Sequence, residues 1–386
     1  MKKTIAVIFG GRSTEHDVSI ITAHIPIIQS LIATQRYEIV PIYISKDGSW
    51  YSSQAMNDLA YFTDAGFEGR LAQEKKVQIL FDKGLNIVWP GFRSKTVHVD
   101  IVFPAMHGTF GEDGSLMGLL RMADVPFVGC DLFASAVAMD KVLTKQLASA
   151  EGIPIVPYVW FIKNDWQKNA ARLEKEISKL KYPLFIKPVH LGSSIGITKV
   201  KRPEELRNAV EVAFHYDDKV LVEESVENLI EVTLPIMGNE VLQLAAIERP
   251  LNKSEMFDFS DKYLSGGKKG GGANTEYSEI PAKIDEHLAE QVREIGEKTY
   301  RTLGCSGIAR IDFLIEGSLG KVYMNEVNTL PGSLYHHNWR KVGVSGVDLV
   351  TTLISLAEER YEAHRSETYV FQSDILKKMS GPKVGS

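Results

Sequence analysis

The sequence predicts a protein of mixed class, α/β in its first third and α+β in the remainder. The first third alternates a short apolar strand, Ile5 to Phe9, with a helical segment, Val18 to Ile32, and a second strand, Ile39 to Ile44. A length of 386 residues, at about 150 residues per domain, leaves room for two or three domains, and a hydrophobic content of 44% supplies a core for each. Later segments mix hairpins with single helices, which favours smaller α+β units.

Changes of pattern along the chain divide it into three units. We expect residues 1–135 to form a unit with a parallel sheet, residues 136–224 a central unit, and residues 225–378 a C-terminal unit. The polar segment 251–278 is rich in glycine and longer than the usual loop of a compact domain, so we predict a mobile lid. Residues 379–386 are predicted to be a disordered tail.

The composition argues against several classes of protein. With 44 Lys+Arg against 49 Asp+Glu, the formal net charge is −5, and without a long basic run we expect no nucleic-acid partner. Cys130 and Cys305 are too few for a disulfide framework, so a reducing cytoplasm fits best. No stretch of about 18 apolar residues is evident, and we therefore expect no membrane-spanning helix.

The strongest local pattern is a pair of polar clusters on two neighbouring strands. Arg310 and Asp312 alternate on one strand, and Glu326 and Asn328 alternate on the next. Two carboxylates and an amide would then converge, and such oxygen ligands suit Mg²⁺. A surface salt bridge across a hairpin is the alternative.

A second pattern favours phosphate binding in the central unit. Lys187 ends an apolar strand and is followed by the Gly/Ser loop 192–196, whose backbone N–H groups could surround phosphate oxygens; a plain turn is the alternative. Glu223 follows another apolar strand, as a hinge residue that meets a nucleotide base would, or as a solvated acid. Lys141, within a predicted helix over residues 134–150, is either a phosphate ligand or an exposed lysine.

Two glycine-rich loops follow strands of the first unit, at the edge where open α/β sheets bind ligands. The first, residues 10–16, lacks the GxGxxG pattern, which disfavours a dinucleotide site. Its Glu15 could bind a ligand ammonium group or cap a helix. The second loop begins at His107 and continues through residues 111–114.

In order, these segments resemble the ATP-grasp superfamily and, within it, the D-alanine:D-alanine ligases. The resemblance runs from roughly Thr4 to Glu362, and its fragments follow the family's order: GGRSTEHDVS, HGTFGEDG, MDK, FIKPVHLGSSIG, LVEESV, DFSDKYLSG, ARIDF and NEVNTLPG. It implies an ATP-grasp fold preceded by a Rossmann-like domain with a parallel sheet. The implied partners are ATP and D-alanine, in a cytoplasmic homodimer that binds neither nucleic acid nor membrane.

The resemblance also implies a nucleotide site and a metal site. The residues expected at ATP are Lys141, Lys187, Ser194, Glu223, Val226, Glu231 and Lys262. The lysines would contact phosphate oxygens, Glu223 and the Val226 backbone the adenine, and Glu231 the ribose. Two Mg²⁺ ions, or Mn²⁺ in their place, would be held by Asp312, Glu326 and Asn328.

A two-step ligation is implied as well. The carboxylate of one D-alanine would attack the γ-phosphorus to form an acyl phosphate, and the amine of a second D-alanine would displace phosphate. The first D-alanine would be bound near Glu15, His107, Ser193 and Tyr263. Arg310 and the backbone N–H of Gly332 would stabilise the tetrahedral oxygen, while closure of the lid would exclude water.

The segment after Gly332 departs from the family pattern. Small hydroxyl residues usually bind the carboxylate of the acceptor there, whereas this chain has Ser-Leu-Tyr-His-His-Asn-Trp over residues 333–339. His337 aligns with the serine that normally does so, and His337 or Asn338 is expected to replace it. Three alternatives stay open: an acceptor such as D-serine, a carboxylase-like phosphoryl transfer with bicarbonate, and an ATP-binding regulator without catalysis.

Overall fold

The computed structural model describes residues 2–192, 194–251, 278–368 and 370–378. In these residues the chain forms three four-stranded sheets, one three-stranded sheet and one short strand pair. The predicted lid, residues 251–278, lies outside the described residues except at its two ends, and the predicted tail, residues 379–386, lies outside them entirely.

The first sheet is mainly parallel, as the βαβ pattern predicts. Its strands are β1 (Lys3–Gly10), β2 (Tyr37–Ile44), β3 (Trp50–Tyr51) and β7 (Ile101–Pro104), in the order β3-β2-β1-β7. Strand β1 pairs in parallel with β2 and β7, and β3 is an antiparallel edge strand. Successive side chains of β1 enter two different cores, which explains its continuous apolar sequence.

A helical segment, His16–Thr34, packs against this sheet. It consists of α1 (His16–Thr22), a π-helical stretch (Ala23–Ile28) and α2 (Gln29–Thr34), and the π-helical stretch accommodates Pro26 without ending the helix. By length and mean hydropathy the segment could cross a membrane, although it is not a continuous run of apolar residues. Ile20, Ile27 and Leu31 are nevertheless buried in the first core, as in the core helix of a soluble protein.

The rest of the first unit contains a small antiparallel sheet and short helices. Strands β4 (Gln78–Phe81), β5 (Leu85–Trp89) and β6 (Lys95–Val99) form the sheet, and the β4–β5 hairpin turns at Lys83-Gly84. The helices are a 3₁₀ turn (Gln54–Asn57), α3 (Ala60–Thr63), α4 (Phe67–Leu71) and α5 (Ser115–Met122).

The predicted helix over residues 134–150 is in fact two helices, α6 (Leu132–Met139) and α7 (Lys141–Ala150). Asp140 separates them because its backbone is extended and its carboxylate accepts hydrogen bonds from the N–H groups of Val142 and Leu143, which makes it the N-cap of α7. Side chains from both helices pack in the core of the third sheet.

The second four-stranded sheet is antiparallel and has a core of its own. It contains β8 (Tyr158–Ile162), β9 (Leu184–Pro188), β10 (Thr198–Val200) and β11 (Lys219–Glu224), in the order β10-β9-β11-β8. A 3₁₀ turn (Pro203–Glu205) precedes α9, and α8 (Lys163–Ile177) and α9 (Leu206–Tyr216) cover the sheet. Phe161, Trp166 and Phe214 lie between sheet and helices.

The third four-stranded sheet, also antiparallel, carries the polar hairpin noted in the sequence. Its order is β13-β12-β16-β17, from β12 (Leu229–Gly238), β13 (Leu242–Leu244), β16 (Gly307–Glu316) and β17 (Lys321–Asn328). Helix α10 (Glu286–Thr302) packs against it at Gly296, where a Cβ would lie 2.9 Å from the Leu234 side chain. Strands β14 (Arg249–Pro250) and β15 (Ser278–Glu279) pair separately.

The C-terminal helices return to the first unit. A 3₁₀ turn (Gly332–Tyr335) leads into α11 (His336–Lys341), α12 (Gly346–Arg365) and α13 (Ile375–Lys378). Leu349, Leu353 and Ile354 of α12 belong to the same core as strand β1. The apolar stripe of this helix therefore packs on the first unit, although the sequence-based division grouped it with residues 225–378.

Candidate active site

A row of charged and amide side chains lies on one face of the β16–β17 hairpin. The register places Arg310 opposite Asn328, and Asp312 opposite Glu326. The amide nitrogen of Asn328 donates to Asp312 Oδ2 at 3.3 Å, and Arg310 Nη2 lies 4.0 Å from Glu326 Oε1. The pairing shifts immediately after Asp312. The four side chains therefore converge, as strand alternation predicts.

Arg310 is fixed from two sides. Its Nε and Nη2 donate to the two carboxylate oxygens of Asp312 at 2.6 and 2.5 Å, and its Nη1 donates to the hydroxyl of Tyr335 at 3.0 Å. The Tyr335 ring also lies under the guanidinium, 4.9 Å from it. Burial lowers the pKa of Arg310, but Asp312 outweighs burial and raises it well above its usual value. The guanidinium is therefore a permanent, oriented cation.

Lys141 links the central unit to the hairpin. Its Nζ donates to the backbone carbonyl of Leu191 at 2.7 Å, lies 3.5 Å from that of Val189, and is 3.8 Å from Glu326 Oε2. Burial lowers the pKa of the ammonium group more than Glu326 raises it. Lys141 is thus neither exposed nor fully paired with a carboxylate, and its ammonium group lies at the edge of the cleft.

Two lysines, Lys187 and Lys145, share one buried carboxylate, that of Glu223. Lys187 Nζ contacts Oε1, and Lys145 Nζ lies 3.0 Å from Oε2. Burial would raise the pKa of Glu223, but Lys145 and Lys187 lower it to about 2. Burial lowers the pKa of Lys187, and Glu223 raises it above its usual value. Glu223 therefore keeps Lys187 charged; its contact with adenine stays a prediction.

The Gly/Ser loop and the chain beyond Glu223 lie beside these lysines. Ser194 has a positive φ of 58°, and at Gly196 a Cβ would lie 2.8 Å from both Pro188 and Tyr216, so the turn requires glycine. Val226 lies between β11 and β12, and Glu231 on β12 raises the pKa of Lys187 by its charge. Three further residues that were predicted to bind ATP or the first D-alanine lie outside the described residues: Ser193, Lys262 and Tyr263.

Glu15, Gly108 and Glu112 come from the two glycine-rich loops of the first unit. Glu15 is buried at the start of α1, and Gly108 has a φ of +67° with room for no side chain, because a Cβ would lie 2.9 Å from Glu15 Oε2. Glu112 accepts a hydrogen bond from the Gly108 N–H at 2.7 Å. Burial, and then the charge of Glu15, raise the pKa of Glu112 to about 8. Glu112 is therefore mostly protonated at neutral pH.

His107 is buried close to Glu15. Its Nε2 lies 2.8 Å from the hydroxyl of Thr22, which accepts a hydrogen bond from the Ser333 N–H at 2.9 Å. Burial lowers the pKa of His107 more than Glu15 raises it, so the ring is neutral at physiological pH. His107 thus joins the first unit to the segment 332–335.

The unusual segment after Gly332 has a strained backbone. Ser333, Leu334 and Tyr335 have successive positive φ values of 52°, 50° and 48°, a left-handed turn that residues with a Cβ rarely adopt. His337 is partly exposed, and its Nε2 lies 3.0 Å from Glu248 Oε2. Asn338 is completely buried, and its amide donates to the carbonyl of Ala246. Asn338 therefore anchors α11, and its role in binding the acceptor stays a prediction.

One cleft collects residues from all three units. It is lined by Glu15, Gly108, Glu112, Lys141, Gly192, Glu326 and Asn328, among others. Gly192 approaches the first unit closely, since a Cβ at this position would lie 3.8 Å from Glu15 Oε2. Glu15, Lys141 and the two predicted metal ligands Glu326 and Asn328 therefore line a common space, while their roles in binding amine, phosphate and metal stay predictions.

Sequence reasoning assigned no role to three residues of this region. Lys145 lies one helical turn after Lys141, and that i, i+4 spacing was the available signal. Glu112 lies in a loop recognised only as rich in glycine. Tyr335 was read as part of a departure from the family, and neither its left-handed backbone nor its contact with Arg310 is visible in the sequence.

Comparisons with protein families and with curated proteins agree on one relationship. The family model described as "D-ala D-ala ligase N-terminus" matches residues 4–130, and that described as "D-ala D-ala ligase C-terminus" matches residues 147–355. The D-alanine–D-alanine ligase of Thermosipho africanus is 34% identical over 372 residues, covering 96% of this chain and 98% of the relative. That of Staphylococcus epidermidis is 33% identical over 373 residues, covering 95% and 98%.

Solved structures agree with this relationship. The VanG D-Ala:D-Ser ligase from Enterococcus faecalis has a TM-score of 0.78 and 34% identity, over 92% of this chain and 100% of that chain. The D-alanine-D-alanine ligase from Coxiella burnetii has a TM-score of 0.78 and 29% identity, over 95% and 96%. The fold is thus the ATP-grasp fold that the resemblance implied. This chain belongs to the D-alanine–D-alanine ligase family.

Proposed function

We propose that this chain uses ATP to join two D-alanine molecules into D-alanyl-D-alanine, a precursor of peptidoglycan. The observation that carries the proposal is the shared cleft, in which Glu15 of the first unit, Lys141 of the central unit and Glu326 of the hairpin face one another. The names of relatives that match over nearly their whole length support the same activity. We further propose a cytoplasmic enzyme that acts as a homodimer.

ATP binds along the central unit. Its phosphates lie toward Lys141, Lys187 and the backbone of Ser194, and Lys262, which lies outside the described residues, would complete this set. The adenine and ribose extend past Glu223 and Val226 toward Glu231. The paired lysines support this orientation, because Glu223 keeps Lys187 charged inside the sheet, where an ammonium group interacts strongly with phosphate.

The hairpin carboxylates fit magnesium. Asp312 and Glu326 lie opposite each other on paired strands, with the amide of Asn328 beside Asp312, and hard oxygen donors of this kind are the ligands that Mg²⁺ prefers. These three residues would hold two Mg²⁺ or Mn²⁺ ions. When bound, the metal supplies positive charge that offsets the charge of the phosphate oxygens.

The first D-alanine binds at the loops of the first unit. Its ammonium group pairs with Glu15, and the neutral Glu112 adds no second negative charge beside it. The family resemblance implies that Ser193 and Tyr263, which lie outside the described residues, would extend a hydrogen-bonded chain from Glu15. His107 is buried next to this loop. The carboxylate of the bound D-alanine is thereby directed toward the γ-phosphate, where it displaces ADP and becomes an acyl phosphate.

The second D-alanine attacks the acyl carbonyl with its amine, and phosphate leaves. Negative charge develops on the tetrahedral oxygen, and Arg310 together with the Gly332 backbone N–H stabilises it. Asp312 and Tyr335 hold the guanidinium in place, so little reorganisation is needed as that charge develops. Closure of the lid excludes water that would hydrolyse the acyl phosphate.

The carboxylate of the acceptor binds near His337. Glu248 Oε2 lies 3.0 Å from Nε2 of this histidine and so orients its ring. A second candidate function is ligation of D-alanine to D-serine. It is supported by the likeness to the VanG D-Ala:D-Ser ligase and by the polar Tyr335 and His337, which could receive a hydroxyl group.

One assay tests these functions. The protein is incubated with ATP, Mg²⁺ and single D- or L-amino acids, ADP release is followed, and the dipeptide is identified by mass. We expect ADP release that depends on D-alanine and a product with the mass of D-alanyl-D-alanine. Release that requires D-serine would select the second candidate, and ATP binding without ADP release would indicate a regulator.

A further inference from the structure

Asp140 and Lys141 make reciprocal contacts with the three residues that follow strand β9. The side chain of Lys141 donates to the carbonyl of Leu191 at 2.7 Å and lies 3.5 Å from that of Val189. The side chain of His190, between those two residues, reaches back to Asp140 at 3.3 Å. The segment 140–141 and the segment 189–191 are therefore linked in both directions, by Lys141 to the outer two residues and by His190 to Asp140.

His190 is also bound on its other side. Its backbone N–H donates to Asp217 Oδ2 at 2.7 Å, and its Nδ1 lies 3.0 and 3.1 Å from the two oxygens of Asp217. Both ring nitrogens thus face carboxylates, and only the imidazolium form has a proton on each. Hydrogen bonds to Asp140 and Asp217 accordingly raise the pKa of His190 to about 9.

The contacts of His190 join the central unit to helix α7. Asp217 lies between α9 and β11, whereas Asp140 is the N-cap of α7, which packs on the central sheet through Val142 and in the core of the third sheet through Ala148. Lys219 adds a second link, because its Nζ donates to Asp140 Oδ2 at 2.6 Å. Lys141, the residue after Asp140, has its ammonium group 3.8 Å from Glu326.

The hydrogen bonds of Lys141 orient its ammonium group toward the cleft, which a salt bridge that only stabilised the fold would not require. The carbonyls of Val189 and Leu191 direct two of the three N–H groups of Lys141 backward, which leaves the third for the cleft. Gly192 follows Leu191 and lies beside Glu15. A shift of His190 would therefore move the lysine and the start of the Gly/Ser loop together.

We infer that His190 is a positioning residue for nucleotide binding, which clamps Asp140 against Asp217 and so sets the position of Lys141 and of the loop that begins at Gly192. The inference rests on the proposed function in that Lys141 is taken to contact ATP phosphates. It concerns the binding of ATP, which is measured without any amino acid.

Two substitutions separate this role from a structural one. His190→Gln keeps much of the shape but cannot carry the charge that both carboxylates require, and we expect the KM for ATP to rise about 10-fold while kcat falls less than about 3-fold. His190→Arg supplies a permanent cation with several donors and should return the KM for ATP to within about 3-fold of wild type. His215→Gln, on the exposed face of α9, is the matched control.

A pH profile provides a second readout. The charged groups that face His190 are Asp140, Lys141, Asp217, Asp218 and Lys219. Because the folded pKa of His190 is raised, the clamp is complete below about pH 9 and is lost above it. The KM of the wild type for ATP should therefore rise through this range, and the rise should be smaller in His190→Arg, whose guanidinium stays charged.

The outcome for His190 can be separated from that for the proposed function. The Kd for ATP with Mg²⁺ is measured by calorimetry in all four proteins, without any amino acid. If the wild type binds ATP but makes no dipeptide, the proposed function fails while the Kd values still test His190. A Kd for His190→Gln within 2-fold of wild type would overturn the inference. So would a His190→Arg variant that regains thermal stability but not ATP affinity.

Discussion

The ammonium group of Lys141 lies 3.8 Å from a carboxylate oxygen of Glu326. One residue begins a helix and the other lies on a strand of the polar hairpin, yet they meet at the edge of the cleft that Glu15 also lines. In the proposed complex each member of this pair would have a new partner of opposite charge, a phosphate oxygen for Lys141 and a metal ion for Glu326. Several expected outcomes follow from this geometry and its neighbours.

Replacing Glu326 by Gln should abolish turnover with little effect on folding. The amide is a much weaker magnesium ligand than the carboxylate, so we expect kcat to fall about 10²-fold or more. ADP release is measured across a Mg²⁺ titration, with Glu294→Gln on the exposed face of α10 as control. Near-normal activity of Glu326→Gln at limiting Mg²⁺ would contradict the assignment.

Stability should depend on pH through Glu112. Its pKa is about 8 in the folded protein, whereas the usual pKa of a glutamate is 4.5. Between these pH values the folded state therefore retains a proton that the unfolded state has lost. This contribution to the free energy of unfolding is complete below pH 4.5 and declines up to about pH 8, by roughly 1.4 kcal/mol per pH unit. Glu112→Gln should therefore raise the Tm at pH 8 and change it little at pH 5. Equal shifts at both pH values would argue against a protonated Glu112.

The hydroxyl of Tyr335 should contribute to the chemical step. Tyr335→Phe retains the ring beside Arg310 but removes the acceptor of its hydrogen bond, and we expect kcat to fall about 3- to 10-fold with the KM for ATP unchanged. Tyr361→Phe, which removes a hydroxyl bonded to the backbone of Asp124, is the control. If both variants behave alike, Tyr335 does not orient Arg310.

His337 should distinguish the two amino-acid sites. His337→Ala removes the side chain proposed to bind the carboxylate of the acceptor, so we expect the KM for the second D-alanine to rise about 10-fold and that for the first to change little. Initial rates over a wide range of D-alanine concentrations separate the two constants, and His287→Ala on the exposed face of α10 serves as control. An equal rise in both constants would place His337 outside the acceptor site.

Lys145 should stabilise the fold by pairing with Glu223. Both side chains are almost completely buried, at 1% and 2% exposure, so Lys145→Met leaves a buried carboxylate with Lys187 as its remaining lysine. We expect a loss of about 3–5 kcal/mol in the free energy of unfolding, measured by denaturant titration. The double variant Lys145→Met/Glu223→Gln should recover part of that loss, and no recovery would mean that the two residues are not coupled.

Much of the hairpin site could be predicted from local rules. Alternation along a strand fixes which side chains share a face, and the short connection between β16 and β17 makes the two strands neighbours. Arg310, Asp312, Glu326 and Asn328 therefore required no knowledge of the remaining fold. Lys187 and the Gly/Ser loop could be recognised for a similar reason, since both occupy one strand end.

Contacts between distant parts of the chain could not be predicted in this way. The pairing of Lys145 with Glu223 depends on how α7 lies across the central sheet, and the burial of Asn338 depends on where α11 meets Ala246. The left-handed turn at residues 333–335 is held by tertiary packing against the preference of its residues. The division of a helix at Asp140 was missed because an N-cap inside an apolar run resembles an ordinary polar position.

The packing of α12 on the first sheet has a consequence for synthesis on the ribosome. Strand β1 is synthesised well before Leu349, Leu353 and Ile354, which its core also requires. Domains generally fold in the order of their synthesis, whereas this unit must wait with part of its apolar surface uncovered. During that interval the nascent chain offers a binding surface for chaperones. A chain truncated before residue 346 would leave that apolar surface permanently exposed.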